Sequence, residues 1–352
     1  MAIEYPLILP TSPGLRSAEF RTRQICGISP SPFTGQQSGG VYEWSGEWWE
    51  ADCSLPPMAR AAAEEWLATL IALRGGAGTF LLGDRGGNAP RGSGAGYPSV
   101  DGAAQAGKTL ATLGWNPSAS GVLKKGDYLQ IAKNYEPYPR AFDNAHWTKS
   151  QCTITATDIV APNGVAEAER ATPTGGATDA YLWAIETTYP ARFKGLTWTF
   201  SLWLKAASGT PSINIRVYNG AAGGQSTTCN LTTNWQRFSV NYSFPVAATV
   251  LYVQIGGSST WPEADGPIDM WGAAVYCPTL DARLHKVLTE AASDTNRKAS
   301  LDLWPRLRES PPDFSALILT DAKGTFRLRE APGWNLDELL HYGLGFKAME
   351  AF

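Results

Sequence analysis

The sequence predicts a mainly β protein: a β-sandwich with one packed helix, a small β-barrel-like unit, and a β-jelly-roll domain inserted into them. Three observations lead there. Short runs with apolar side chains at every second position recur through most of the 352 residues, the period of half-buried strands. A single stretch, Pro57 to Arg74, spaces its apolar residues as a helix does. The strand-like text before residue 140 breaks off without a nearby partner and resumes after 278.

From the start, Leu7-Ile8-Leu9 is a short strand stopped by Pro10, and Ser17 to Arg21 leads into a Gly- and Pro-rich loop. Tyr42 to Cys53 alternates aromatic and acidic residues. Its carboxylates Glu43, Glu47, Glu50 and Asp52 are expected on the solvent face of a strand rather than as a glycosidase pair. The helix opens on Pro56-Pro57, carries Met58, Ala62, Trp66, Leu70 and Leu73 on one stripe, and stops at Gly75-Gly76. Thr79 to Leu82 is a compact apolar strand. A GxGxxG-like string at Gly92, Gly94 and Gly96 runs into Tyr97-Pro98 instead of a helix, which argues against a phosphate loop.

Lys108 to Trp115 and Gly121 to Ile131 are strands again, the second delivered by a Lys-Lys-Gly-Asp turn. A linker follows, and the expected partner appears at Arg283 to Leu288 and Ala299 to Trp304. Ala316 to Thr320, Gly324 to Leu328 and Gly343 to Phe352 are expected to return to the first sheet. The expected units are therefore 1–83 with 305–352, 84–132 with 282–304, and an insertion at 140–278.

Inside the insertion, Phe200, Leu202, Leu204, Ile213, Ile215, Val217, Leu251, Val253 and Ile255 are expected to form a core, with Trp183, Trp198 and Trp271. By parity, Trp203, Lys205, Asn214, Arg216, Tyr218, Tyr252 and Gln254 face outward. Aromatic rings stack on the apolar faces of pyranoses, while amide and guanidinium groups hydrogen-bond hydroxyls or acidic substituents, so this set suits a glycan. The alternative is that Trp203 and Tyr252 cover a neighbouring sheet, loop or host domain.

A net charge of -3 provides no basic field for general nucleic-acid binding. Five scattered cysteines (Cys26, Cys53, Cys152, Cys229, Cys277) lack metal-ligand spacing and read as free thiols. The first residues lack a signal-peptide pattern and no apolar run reaches membrane-spanning length, so the expectation is a chain made in the cytoplasm without membrane insertion. No local motif nominates a catalytic constellation, and no cofactor is expected.

The helix with Gly78 to Asp84, the segment Gly121 to Ile131, its continuation Arg283 to Leu288, and Lys323 to Leu328 with Tyr342 to Phe346 carry a resemblance. In order and spacing they are similar to distal tail proteins of long-tailed siphophages. That resemblance implies a tail-tube-like fold and a homohexameric ring in the virion tail. The ring would join the tail tube protein to the baseplate hub and leave a channel for DNA in passage. Phe142 to Lys149, Trp198 to Lys205 and Ile268 to Gly272 resemble carbohydrate-binding modules of the jelly-roll kind found in phage tail and baseplate proteins. This second resemblance implies host surface polysaccharide as a partner; jelly-roll modules often hold a structural calcium, for which Asp143, Asp158, Asp179 and Asp269 are the candidates, although no DxDxDG-like loop fixes its ligands. The expected function is thus a structural virion protein with a glycan-binding insertion; the alternatives are a stand-alone lectin and a glycan-cleaving tail enzyme.

Overall fold

The computed structural model describes residues 3–28, 31–35, 41–185, 193–220, 223–257 and 261–351. In chain order the first strands are β1 (Ser17–Ile28), β2 (Val41–Ser54), β3 (Phe80–Leu82), β4 (Gly96–Val100), β5 (Gly107–Trp115) and β6 (Tyr128–Ala132). Helix α1 (Arg60–Ala72) lies between β2 and β3. The middle of the chain supplies β7 (Thr148–Ser150), β8 (Cys152–Val160), β9 (Ala166–Pro173), β10 (Tyr181–Ile185) and β11 (Thr197–Ala206). It continues with β12 (Ser212–Tyr218), β13 (Gly224–Asn230), β14 (Gln236–Ser243), β15 (Tyr252–Gly256) and β16 (Ile268–Tyr276). The last six are β17 (Arg283–Val287), β18 (Ala299–Leu307), β19 (Ala316–Ile318), β20 (Gly324–Leu328), β21 (Gly333–Leu336) and β22 (Tyr342–Glu350). The protein is mainly β, with one α-helix among the described residues.

The two ends of the chain share one sheet, ordered β1-β2-β22-β20-β3, with β21 beside β22. Cys53 lies opposite Phe346, and Phe80 opposite Phe326. Against this sheet α1 buries Ala63, Trp66, Leu67 and Leu70, and Trp66 stacks on Phe346 at 6.3 Å. The helix is shorter than its apolar stripe. Pro56-Pro57 holds the chain extended up to Ala59, and Arg74 already takes the left-handed conformation (φ 49°) ahead of Gly75. Met58 and Leu73 nevertheless remain in the same core from outside the helix.

Two expectations for the outer parts are corrected. Glu47 and Glu50 are buried rather than solvent-facing. Glu47 accepts from the backbone N–H (2.7 Å) and the guanidinium of Arg306, and Glu50 is held by Arg23 and Arg329, each at 2.9 Å. Their charge is tolerated because Arg23 of the neighbouring strand β1 and Arg306 and Arg329 from the far end of the chain reach them. The run Ala316 to Thr320 does not return to the first sheet: Ala316 pairs with Ser99 and Ala132, and Leu317 with Ile131. A short apolar run fits either core, and here Leu317 and Leu319 fill the barrel.

That barrel is closed, in the order β17-β18-β5-β4-β19-β6. Strands β6 and β17 pair directly, Leu129 opposite His285, although about 150 residues separate them in sequence. Its core contains Val100, Leu110, Trp115, Leu129, Ile131 and Leu301. The glycine-rich loop before β4 is tied down by Asp127, whose carboxylate accepts from the N–H groups of Arg91, Gly92 and Lys124.

Between β6 and β17 the chain forms a jelly-roll sandwich of two five-stranded sheets, β13-β12-β15-β10-β7 and β14-β11-β16-β9-β8. The core between them contains Phe200, Leu202, Leu204, Ile213, Ile215, Val217, Leu251, Val253 and Ile255, together with Trp147, Trp198 and Trp261. Entry and exit run side by side: Tyr135 N–H donates to Val275 O (2.8 Å), and the buried Asn134 accepts from Val275 N–H while donating to Ala273 O and Asp313 O. The five cysteines are free. No helix among the described residues is long and apolar enough to cross a membrane.

Candidate binding face

The two sheets of the sandwich spend their outer faces differently. On β11 and β16 the residues pointing away from the core include Trp203, Trp271 and Ala274, and these pack with Leu113 and Phe314 of the barrel side in one apolar cluster. Trp203 is 3% exposed, meets Tyr97 edge-on at 6.2 Å, and lies near the guanidinium groups of Arg237 and Arg297. Trp271 meets Phe314 edge-on at 4.7 Å. The bulge at Gly272 (φ 68°) makes room for this contact, since a Cβ there would collide with the Phe314 ring. Arg140, in the linker, fastens the junction: it pairs with Asp101 and Asp313 on one side and Glu167 on the other, beneath the rings of Trp271 and Phe314.

Outward parity on β11 therefore leads into the barrel, not into solvent. Trp203 is removed from the candidate site, because its ring is enclosed by residues far away in sequence. Lys205 lies on this same side, 3.4 Å from the buried Asp269 and over the ring of Trp235. Trp271 is buried as expected, but in the junction rather than the sandwich core.

The other five residues come together on the opposite side of the sandwich. Arg216, Gln254, Trp183 and Thr148 form one row across β12, β15, β10 and β7, as the antiparallel registers require. In the next row Tyr218 and Tyr252 are opposite each other, with rings 4.8 Å apart and 15° from parallel. Trp183 leans on Tyr252 at 5.6 Å, and the Arg216 guanidinium sits 4.5 Å over Tyr218. Asn214 accepts from the Thr228 hydroxyl at 3.0 Å one row away. Trp183 is a correction, since it was expected in the core. Its own strand contained the signal: Leu182 and Ala184 are buried, so Tyr181 and Trp183 must face out.

The chemistry of this face is uniform. Arg216, Tyr218, Tyr252 and Trp183 are half-buried, while Gln254 is 8% exposed. Burial pushes the Tyr218 phenol up despite the opposing charge of Arg216, so it stays protonated and able to donate at neutral pH. None of the five strands carries Asp or Glu, so the strands themselves hold no carboxylate pair of the kind glycoside cleavage uses. No group of three or more His, Cys, Asp or Glu among the described residues is placed to hold a metal. Of the four aspartates suggested for calcium, Asp269 is instead clasped by Arg170 (2.7 and 3.1 Å). At Asp143 the backbone carbonyl accepts from the Lys149 ammonium.

No family model matches the sequence, and no curated protein matches it. Among solved structures, the chain is similar to one described as CBM4 structure and function, at 19% identity and a TM-score of 0.27, over 42% of this chain and 94% of that one. It is similar to the CBM22-1 xylan-binding domain from Paenibacillus barcinonensis at 12% identity and a TM-score of 0.28, over 44% and 96%. The enzymatically active domain of tailspike protein 4 of bacteriophage CBA120 matches at 14% identity and a TM-score of 0.33, over 41% of this chain. This chain spans about a fifth of that structure, 21%. Likenesses this slight carry no argument about function.

Proposed function

We propose that this chain is a structural protein of a phage tail tip, a distal tail ring component whose inserted sandwich binds host surface polysaccharide without cleaving it. The observation that carries the glycan reading is the continuous outward patch in which Arg216, Gln254 and Trp183 form one row and Tyr218 and Tyr252 the next, with Asn214 beside them. The two tyrosines, stacked near parallel with centroids 4.8 Å apart, and the tilted tryptophan form one aromatic patch against which the apolar face of a sugar ring can pack. Arg216, with no carboxylate on its five strands, offers a charged donor to acidic substituents. Residues 140–278 act as a passenger on this reading, docked on the barrel by the opposite sheet.

The ring reading is supported at the other end of the molecule. Strand β1 is an unpaired edge of twelve residues, nearly all exposed. The hairpin it forms with β2 exposes Ile25 (47%), Ile28 (51%), Tyr42 (58%) and Trp44 (53%). Such an edge is a liability as bare surface and suits pairing with a second copy, and closed rings follow from repeated head-to-tail contacts. Six copies, the tail tube and hub as neighbours, DNA in passage and a place in the virion tail belong to the same proposal.

The test has two arms. Purified protein titrated with host surface polysaccharide should show saturable binding and leave the polymer length unchanged; shortened chains would favour the cleaving enzyme. Native mass spectrometry and electron microscopy should show a closed ring, and a monomer at every concentration tried would remove the tail-ring role while leaving the lectin reading open.

A further inference from the structure

A cavity lies at the junction of the sandwich and barrel, away from the aromatic face. Its volume is about 250 Å³, and it opens between β4 and β19 of the barrel and β11, β14 and β16 of the sandwich. Among the described residues its one charged lining residue is Arg237, and no Asp or Glu lines it. Nη1 of Arg237 donates to Gly272 O (2.8 Å) and Nη2 to Ser201 Oγ (2.7 Å). A guanidinium has five N–H donors, so these two bonds leave most of its capacity unspent. Arg237 makes no ion pair with any described residue, and burial pushes its pKa down to about 10. Arg237 is half-buried, and a partly desolvated cation without a counter-charge attracts an anion.

An independent observation points the same way. Ser99 lines the cavity, is 2% exposed, and its hydroxyl is buried with no hydrogen-bond partner among the described residues. Buried hydroxyls are rarely left so. Ser201, Ser239 and Tyr276 add hydroxyls around the same space. The walls thus combine a single positive charge, several neutral donors and no competing anion.

We propose that this cavity binds a small oxyanion, held by the unspent N–H groups of Arg237 with the Ser99 hydroxyl as a further donor. Because its walls come from both the sandwich and the barrel, the anion acts as a cement between them and stabilises the docked arrangement by mass action. The oxyanion is either free, as sulfate or phosphate, or the acidic substituent of a sugar; 250 Å³ is larger than a bare tetrahedral ion needs.

The full chain is titrated with sodium sulfate, sodium phosphate and free glucuronate, each at constant ionic strength balanced with sodium chloride. Calorimetry and melting temperature are followed together. The expected result is saturable one-to-one binding with a matching rise in melting temperature. Arg237→Met is expected to weaken it by at least about tenfold, the loss of charged hydrogen bonds, whereas Arg60→Met on the exposed side of α1 leaves it unchanged. Binding of sulfate or phosphate alone assigns a free ion, and tighter binding of glucuronate that Arg237→Met removes assigns a sugar-borne carboxylate. Should Arg237→Met not fold, Ser99→Ala and Arg237→Lys serve: the first weakens binding and the second keeps it in part. Absence of saturable binding by all three anions, or equal binding by native protein and the Arg237 or Ser99 variants, overturns the proposal.

Discussion

Tyr252 lies between Trp183 and Tyr218, in ring contact with each, while its backbone pairs within β15. Tyr252→Ala removes the middle of the stacking surface from an outer face, so the core is untouched. Binding to polysaccharide should weaken by about 2 kcal/mol, the cost of a central aromatic anchor, with a melting temperature close to native; titration calorimetry and a melting curve check both. Glu350 illustrates a different residue-scale effect. Burial pushes its carboxyl up to about 7, although Trp49 N–H donates to it and Arg308 and Arg283 lie near. A carboxyl whose folded pKa exceeds its unfolded one contributes stability below the unfolded value, near pH 4.5, and loses it as pH rises through about 7. Glu350→Gln should therefore be more stable than native protein above pH 7, by on the order of 2 kcal/mol, and nearly equal to it near pH 4.5. Denaturant midpoints across that range decide it.

At the scale of elements, β16 shows how one residue joins two units. Its bulge at Gly272 sits in a conformation that side chains rarely take and faces the ring of Phe314. Gly272→Ala should cost about 1–3 kcal/mol from backbone strain, plus the collision with Phe314. The double variant with Phe314→Ala should lose less than the sum of the singles, because the collision then disappears; strict additivity in chemical denaturation would show that the two do not meet. Strand faces were legible wherever one side of a strand is buried, as in Ile213, Ile215 and Val217, because a period of two leaves no other solution. Trp183 obeyed the same rule and was misread only because tryptophan itself suggests a core. Helix ends were less legible, since both Pro57 and Gly75 stand outside the hydrogen-bonded turns they delimit.

For the whole molecule, the decisive contact is the seat of the sandwich on the barrel. Arg140 there is paired with Asp101, Asp313 and Glu167, and its side chain is 25% exposed. Arg140→Ala removes the charge partner of Asp313 and Glu167, while Asp101 keeps Lys298, and should destabilise the junction by about 3 kcal/mol, the low end for a broken buried network. Hydrogen exchange should quicken around residues 133–140 and 311–315, while polysaccharide binding at Tyr252 stays native. Slower or unchanged exchange in those segments would show that the docking does not depend on this arginine.

Alternation, turn chemistry and one helical stripe are local properties, so the amino-acid order alone determined the mainly β character, the strand faces and the outward set on β12 and β15. Which outward face meets solvent is not local. Trp203 and Tyr252 obey the same parity, yet one is sealed against Tyr97 and the other lies on the open side. Only the tertiary structure chose between them, because burial depends on surfaces brought together from distant parts of the chain. The same holds for Ala316 to Ile318, whose apolar side chains suit two cores and whose strand partners settle the choice.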